Sequence, residues 1–427
     1  MPVPSLEHPP RARGRSRLLR GALTGCVSAG IAVALAAAAG AVPAGAPGHM
    51  IGWGDNGFGH VSGTPTGGGY TAIAVGAAHS LALSADGHIT AWGYDRTGQV
   101  SNAPTGGGYN AIAAGSSGHS LALSADGHIT AWGSDGYGQV SGTPTGGGYT
   151  AIAVGAAHSL ALSADGHITA WGYDEFGQVS NAPTDGGYTA IAGGIGHSLA
   201  LSADGHITVW GNDGYGQVSN APTGGGYTAI AAGNSHSLAL TADGHITAWG
   251  SDGYGQVSGT PTGGGYTAVD SGGVDSFALS ADGHIIGWGD DYYGLVRRAP
   301  TGGGYTALSV SGGYALALDA RSAPTLTGTP PAGTVGQPYS HTVTVTGNPA
   351  PTVAVTAGTL PDGLTLTPAG VLSGTPTTAG VSTFTITASN GVAPDAVREI
   401  TVTVADPAPS TNPVLGSLDG LLTGLGS

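Results

Sequence analysis

Seven tryptophans set the plan of this chain: Trp53, Trp92, Trp132, Trp171, Trp210, Trp249 and Trp288. The steps between them are 39, 40, 39, 39, 39 and 39 residues, and the chain has no other tryptophan. A period in this range marks stacked supersecondary units, none of which can bury its apolar face alone. The tryptophan recurs in copies of one stretch, Asp126–Gly133 (DGHITAWG). Each unit adds two further runs to it, as in His88–Gly93, Tyr109–Ala114 and His119–Ser124. Period-two alternation bounded by Gly, Asp, Asn and Pro predicts short strands in antiparallel meanders. The Asp86-Gly87 pair and its equivalents predict two-residue hairpins. A weak fourth strand is expected in the Gln-Val-Ser part of the loop Gln139–Thr145.

Three or four strands per repeat describe a β-propeller better than a solenoid, which would show atypical capping repeats. The termini point the same way. The last unit has Tyr305–Val310 and Tyr314–Asp319 but no tryptophan strand, whereas the chain's first strand, His49–Gly54 (HMIGWG), nearly repeats His284–Gly289 (HIIGWG). Supplying the missing strand from the N-terminus would leave no open sheet edge. The expected fold over residues 48–321 is therefore an all-β, seven-bladed β-propeller closed by the N-terminal strand. The 82 glycines and 26 prolines recur in register with the repeat, which reads as turn chemistry and not as disorder.

Residues 1–41 have the three parts of an export signal: Arg11 to Arg20, an apolar run from about Gly25 to Ala39, and the small-residue site Ala39-Gly40-Ala41. Ala44-Gly45-Ala46 is a second cleavage site. The apolar run is short for a bilayer span, so no stable membrane span is expected after removal. The single cysteine, Cys26, leaves with the signal, and with it any disulfide, thiolate metal site or cysteine nucleophile. The chain has no lysine. Without the signal, five arginines face 24 carboxylates, a formal charge of −19. Such a surface repels phosphate backbones, so no nucleic-acid partner is expected.

The units read Ile-Ala-x-Gly-x-x-His-Ser-Leu-Ala-Leu-x-x-x-Gly-x-Ile-x-x-Trp-Gly-x-Asp-x-x-Gly-Gln, with His119–Leu123, Trp132-Gly133 and Gly138-Gln139 standing for the pattern. This resembles the repeats of the regulator-of-chromosome-condensation superfamily, a resemblance that covers about residues 48–321 and implies seven-bladed propellers. The short repeat and the export signal are most similar to secreted bacterial members, including the propeller-type β-lactamase inhibitor proteins. The resemblance to the inhibitors implies aromatic contacts from the loop before each HSLAL strand. Here those loops are small, as in Gly76-Ala77-Ala78 and Gly155-Ala156-Ala157. Guanine-nucleotide exchange, which the superfamily also implies, needs an intracellular GTPase and conflicts with export.

Near Arg321 the period ends and the composition shifts to Thr, Val and Pro. Alternating runs at His341–Val345, Thr365–Leu366, Thr383–Ala388 and Glu399–Val404 predict a small Greek-key sandwich over residues 322–406. Leu360–Leu366 (LPDGLTL) followed by Gly370–Pro376 (GVLSGTP) resembles the immunoglobulin-like domains of bacterial surface and secreted proteins, which implies a spacer or adhesion module. Residues 407–427 form a Pro/Gly/Leu-rich tail.

Catalysis has little support, because a nucleophile–base–orienter set needs one asymmetric constellation and almost every polar residue here recurs with the repeat. The chain is read as not an enzyme, with no cofactor and no metal. The tryptophans are expected in the blade core. Twelve of the fifteen histidines fall into two series, His79, His119, His158, His197 and His236, and His49, His88, His128, His167, His206, His245 and His284. Equivalent members sit a blade apart, so structural hydrogen bonding is expected and not ligation.

The best candidate site is the loop after each Trp-Gly. It carries Asp55, Asp95, Asp135, Asp174, Asp213, Asp252 and Asp291, and an aromatic at Phe58, Tyr137, Phe176, Tyr215, Tyr254 and Tyr293, with Thr97 the exception. A rim of carboxylates and aromatic faces suits a protein, a sugar or a cation; the plainer role is Asx-turn closure by the aspartate. The expected function is a secreted, monomeric, non-enzymatic binding protein, free or held at the cell surface, whose rim recognises an extracellular protein. A lectin-like propeller for cell-surface glycans is the first alternative, and a β-lactamase inhibitor-like protein the second.

Overall fold

The computed structural model describes Ala36–Ala37 and residues 48–408. The segment expected to be an export signal, those two alanines apart, and the tail beyond residue 408 lie outside the described residues. Every regular element among the described residues is a β-strand. The first sheet is an antiparallel meander of an inner strand Tyr70–Val75, a middle strand His79–Ser84 and an outer strand Ile89–Gly93. The same meander recurs over 109–133, 149–172, 188–211, 227–250 and 266–289, giving the second to sixth sheets. Ala36–Ala37 adds in parallel to the inner edge of the fifth, beside Ile230 and Ala231.

The seventh sheet draws on both ends of the chain. Tyr305–Val310 and Tyr314–Asp319 supply its inner and middle strands, and His49–Gly54 pairs antiparallel with the latter, placing Trp53 opposite Ala315. Each sheet packs on the next in chain order, and the seventh packs on the first. Across that last junction the Val75 amide donates to Ser309 Oγ at 3.2 Å.

The repeated HSLALS explains the packing. In a strand, residues alternate between faces, so the two leucines share one face and the alanine lies on the other. Leu81 and Leu83 of the first sheet meet Ile112, Ala114, Ala122 and Trp132 of the second in one buried cluster. Large side chains thus press on small ones, and the pattern passes from sheet to sheet. All seven tryptophans are 4–8% exposed, in line with their expected core role.

Two expectations need correction. The hairpin at Asp86-Gly87 is not a two-residue turn. Gly87 N donates to Ser84 O and Ser84 N to His88 O, so the loop is Ala85-Asp86-Gly87 with Gly87 alone at positive φ (80°). That is the three-residue, Gly-bulged hairpin, and Ser84 favours it by bonding both Asp86 and the His88 amide. The Gln-Val-Ser segment is not a fourth strand. Asp135 Oδ1 takes the Val140 and Ser141 amides, which a strand partner would need, and the segment turns.

Residues 322–405 form a second core. Gly333–Thr334, Ala396–Ala405, Gly380–Ser389 and Thr352–Gly358 make one sheet, and Tyr339–Thr342, Val371–Gly374 and Leu364–Leu366 another. Phe384, Ile386, Ile400 and Val402 from the first share a buried cluster with Tyr339, Leu364 and Leu372 from the second. The alternation that marked the long strands in the sequence is the inward-facing set.

Candidate functional site

The loop after each Trp-Gly is held from three directions. Its aspartate folds back: Asp135 Oδ1 accepts the Val140 and Ser141 amides at 2.8 and 2.9 Å, and Asp95, Asp174, Asp213 and Asp252 do the same in their loops. Those donors hold the Asp135 carboxyl below the usual carboxylate range. A buried glutamine works from below, with Gln139 Oε1 accepting the Tyr137 amide at 2.7 Å and Gln217 Oε1 that of Tyr215 at 2.8 Å. Finally, the tryptophan of the following sheet donates its indole N–H to the glutamine's carbonyl, as Trp171 does to Gln139 O at 2.9 Å. The same bond joins Trp53 to Leu295 O at 3.0 Å, across 242 residues.

With the backbone pinned, the aromatic side chain is left outside. Phe58, Tyr137, Phe176, Tyr215, Tyr254 and Tyr293 are 42–65% exposed, and Tyr292 is 79% exposed. Four of them lean toward the neighbouring sheet, Tyr293 against Gly313 among them. Phe58 meets Tyr94 edge-on at 4.9 Å, Tyr137 meets Tyr173 at 4.7 Å, and Phe176 lies against Gly196. The loops between inner and middle strands share this face, because the middle strand starts where the outer strand ends (His79 opposite Gly93).

The first loop differs from its expected reading. Asn56 and not Asp55 takes the capping place, its Oδ1 accepting the Val61 and Ser62 amides at 3.0 and 2.9 Å. Asp55 instead accepts the Gly57 amide and lies 3.7 Å from His60 Nε2. His60 replaces the glutamine; burial pushes its pKa down, and its ring packs 4.1 Å from Tyr314. In the last loop Arg297 reinforces Asp291 with a 2.8 Å ion pair, and Leu295 stands for the glutamine.

The two histidine series separate. His79, His119, His158, His197 and His236 each place Nε2 2.8–3.1 Å from the serine hydroxyl of the next middle strand, the first pair being His79 and Ser120. Burial lowers their pKa values to about 3 or 4, so the rings stay neutral. Gly76 makes room for one such ring, since a Cβ there would stand 2.5 Å from His79 Cε1. His88, His128, His167, His206, His245 and His284 are exposed on the hairpins at the other face, each 3.0–3.2 Å from an aspartate. Among the described residues no three His, Cys, Asp or Glu side chains converge as a metal site would require.

Sequence reasoning missed the two seams flanking the seventh sheet. Asp275 takes the histidine's place, and the next middle strand has Ala315 at the position where the others have serine; the Asp275 Oδ1 is buried without a partner. Burial, with Asp290 and Asp291 nearby, pushes its pKa up to about 8. Tyr314 takes the last histidine's place and reaches Ser80 Oγ at 2.9 Å and His79 O at 2.6 Å. Asp270, fully buried and raised well above the ordinary range, accepts the Val310 amide across the seam at 2.8 Å. The signal was present as breaks in the repeat at Asp270, Asp275 and Tyr314.

Residues 70–99, 110–139, 149–178, 188–217 and 227–256 each match the family described as "Regulator of chromosome condensation (RCC1) repeat". Five of the repeats are RCC1 repeats. Residues 323–405 match the family described as "Putative Ig domain". No curated protein matches the chain. Among solved structures, this chain is similar to yeast RCC1 (Prp20) bound to Kap60, with 17% identity, 71% of this chain and 96% of that one covered, and TM-score 0.53. Prp20p of Saccharomyces cerevisiae, in a structure titled with its binding to Gsp1p and histones, is 18% identical over 65% of this chain and 92% of that one, with TM-score 0.51. The ectodomain of the receptor kinase CR4 from Physcomitrella patens is 27% identical over 56% of this chain and 67% of that one, with TM-score 0.47. The yeast likenesses establish the propeller fold.

Proposed function

We propose that this RCC1-repeat chain is an exported, non-enzymatic binding protein whose aromatic rim recognises an extracellular protein. The proposal takes residues 1–41 as a removable signal, 48–321 as seven blades in one closed ring, 322–406 as an immunoglobulin-like spacer and 407–427 as a tail. One observation carries it. Six rim loops expose an aromatic ring on a backbone fixed by its own Asp or Asn and by a neighbouring Trp. Interfaces are enriched in such aromatics, and a preorganised loop loses little freedom on binding. The yeast propeller of this fold has a protein partner, Kap60. The lectin reading is weaker on the same geometry, because the rim carboxylates already spend one oxygen on their own loops.

The test is capture from the producer's wall and medium fractions by the mature chain, beside a Tyr137→Ala, Tyr215→Ala, Tyr254→Ala variant. A protein held only by the unmodified chain is the expected result. Recovery of polysaccharide alone would favour the lectin, and equal capture by both forms would remove this rim as the site.

A further inference from the structure

The rim is nearly sevenfold, so its departures stand out. In the connection from the third to the fourth sheet, Tyr173, a residue shared only with Tyr94, stands where other repeats have Ser134 or Ser251, and Glu175 where they have Gly136, Gly214 or Gly253. In the fourth sheet's inner loop, Ile195 stands where they have Ala77, Ala156 or Asn234. These unrelated positions meet in space. Tyr137 packs edge-on against Tyr173 at 4.7 Å, Tyr173 is 6.4 Å from Phe176, and Phe176 lies against Gly196, next to Ile195. Ile195 is 44% exposed and lines a small pocket where the inner loops of the second to seventh sheets, Ser116, Ala156, Asn234 and Ser311 among them, come together near the axis. One sector alone thus carries an apolar strip from the rim to the axis. Around it lie the exposed carboxylates of Asp135, Asp174, Glu175 and Asp213, and the three connections that contribute them contain no basic residue. The connection to the seventh sheet also exposes two tyrosines, but there Arg297 and Arg298 balance Asp290 and Asp291.

We propose that the strip Tyr137–Tyr173–Phe176–Ile195 is the docking surface for a protein segment that presents an aliphatic or aromatic anchor flanked by Lys or Arg. The inference rests on the rim reading above and narrows it to one sector and one partner chemistry. The apolar strip supplies the desolvated centre of the contact, and the uncompensated carboxylates supply its charged border. Exposed apolar side chains clustered this way are costly to keep unless they are used.

The probe is a phage-displayed library of random twelve-residue peptides, selected on the full mature chain; enriched peptides are then synthesised and titrated. One variant combines Tyr173→Ser, Glu175→Gly and Ile195→Ala, each replacement being what a sibling repeat already carries, so the fold is expected to persist. A second variant, Tyr292→Gly, does the same in the opposite sector. The expected result is enrichment of peptides with an apolar anchor beside Lys or Arg. Their affinity falls at least tenfold in the triple variant, falls with added salt, and is unchanged by Tyr292→Gly. Loss in Tyr292→Gly alone would overturn this sector and keep the rim reading. Peptides indifferent to both variants and to Tyr137→Ala, Tyr215→Ala, Tyr254→Ala would overturn both. Enrichment of acidic peptides, or none, would overturn the partner chemistry.

Discussion

Five seams between sheets and the two that flank the seventh solve one packing problem with different chemistry. In the five, a neutral buried histidine meets a serine of the next sheet, as His158 does Ser198 at 2.8 Å. At the other two, Asp275 replaces the histidine where the next strand has alanine in place of serine, and Tyr314 spans to Ser80 and His79. Identical seams leave the number of stacked units unspecified, because every junction accepts every neighbour. Distinct residues at these two seams, one of which joins residues more than 230 apart (Tyr314 with His79), give the chain a preferred way to close. The irregular seams thus carry information the regular ones cannot.

Acid should separate the two kinds of seam most. The five histidines have folded pKa values of about 3–4, below the ordinary 6.5. Their stability is present above pH 6.5 and is lost as pH falls toward 4, at about 1.4 kcal/mol per pH unit for each. Urea midpoints at pH 7, 6 and 5 should fall steeply, and His158→Gln should make the fall shallower. A flat profile would mean the seams are not dry.

Tyr314→Ala removes a fully buried ring from the last seam and should cost about 3–5 kcal/mol by urea denaturation. A loss under about 1 kcal/mol would show that the seventh sheet does not rely on this contact. Asp275 works with the opposite sign to the histidines. Its folded pKa of about 8 lies above the ordinary carboxylate value, so it withdraws stability as pH rises from about 4 to 8. Asp275→Asn should therefore raise the midpoint at pH 8 by about 1–3 kcal/mol and do little at pH 4. Smallest of all, Tyr254→Ala on the rim should change stability by no more than about 0.5 kcal/mol. A larger loss would make that aromatic part of the core and not of a surface.

The regular seams were the legible ones. Strands such as Tyr109–Ala114 and His119–Ser124 were readable to the residue, since alternation and turn residues are local properties. The Asp role was readable too, as an Asx-type closure. Its register in the first loop was not: Asp55 and Asn56 are adjacent, and only the hydrogen bonds to Val61 and Ser62 show which one caps. Nor could the Gln-Val-Ser segment be separated from a strand, because its amides are taken by an aspartate five and six residues back. Tyr173 and Glu175 share one loop and bond to each other, whereas Ile195 reads as a separate break in the repeat, with nothing local to join it to them.

The sequence by itself determined the repeat, the strands, the buried tryptophans, the strand borrowed from the N-terminus and the immunoglobulin-like second core. All of these follow from periodicity, which records what each residue does within its own unit. Only the tertiary structure decided which units touch across the ends, that the histidines bond forward to the next sheet's serines, and that three scattered departures form one strip. Those contacts join residues 20 to more than 200 positions apart, and no local pattern encodes a distance that the packing of neighbouring sheets creates.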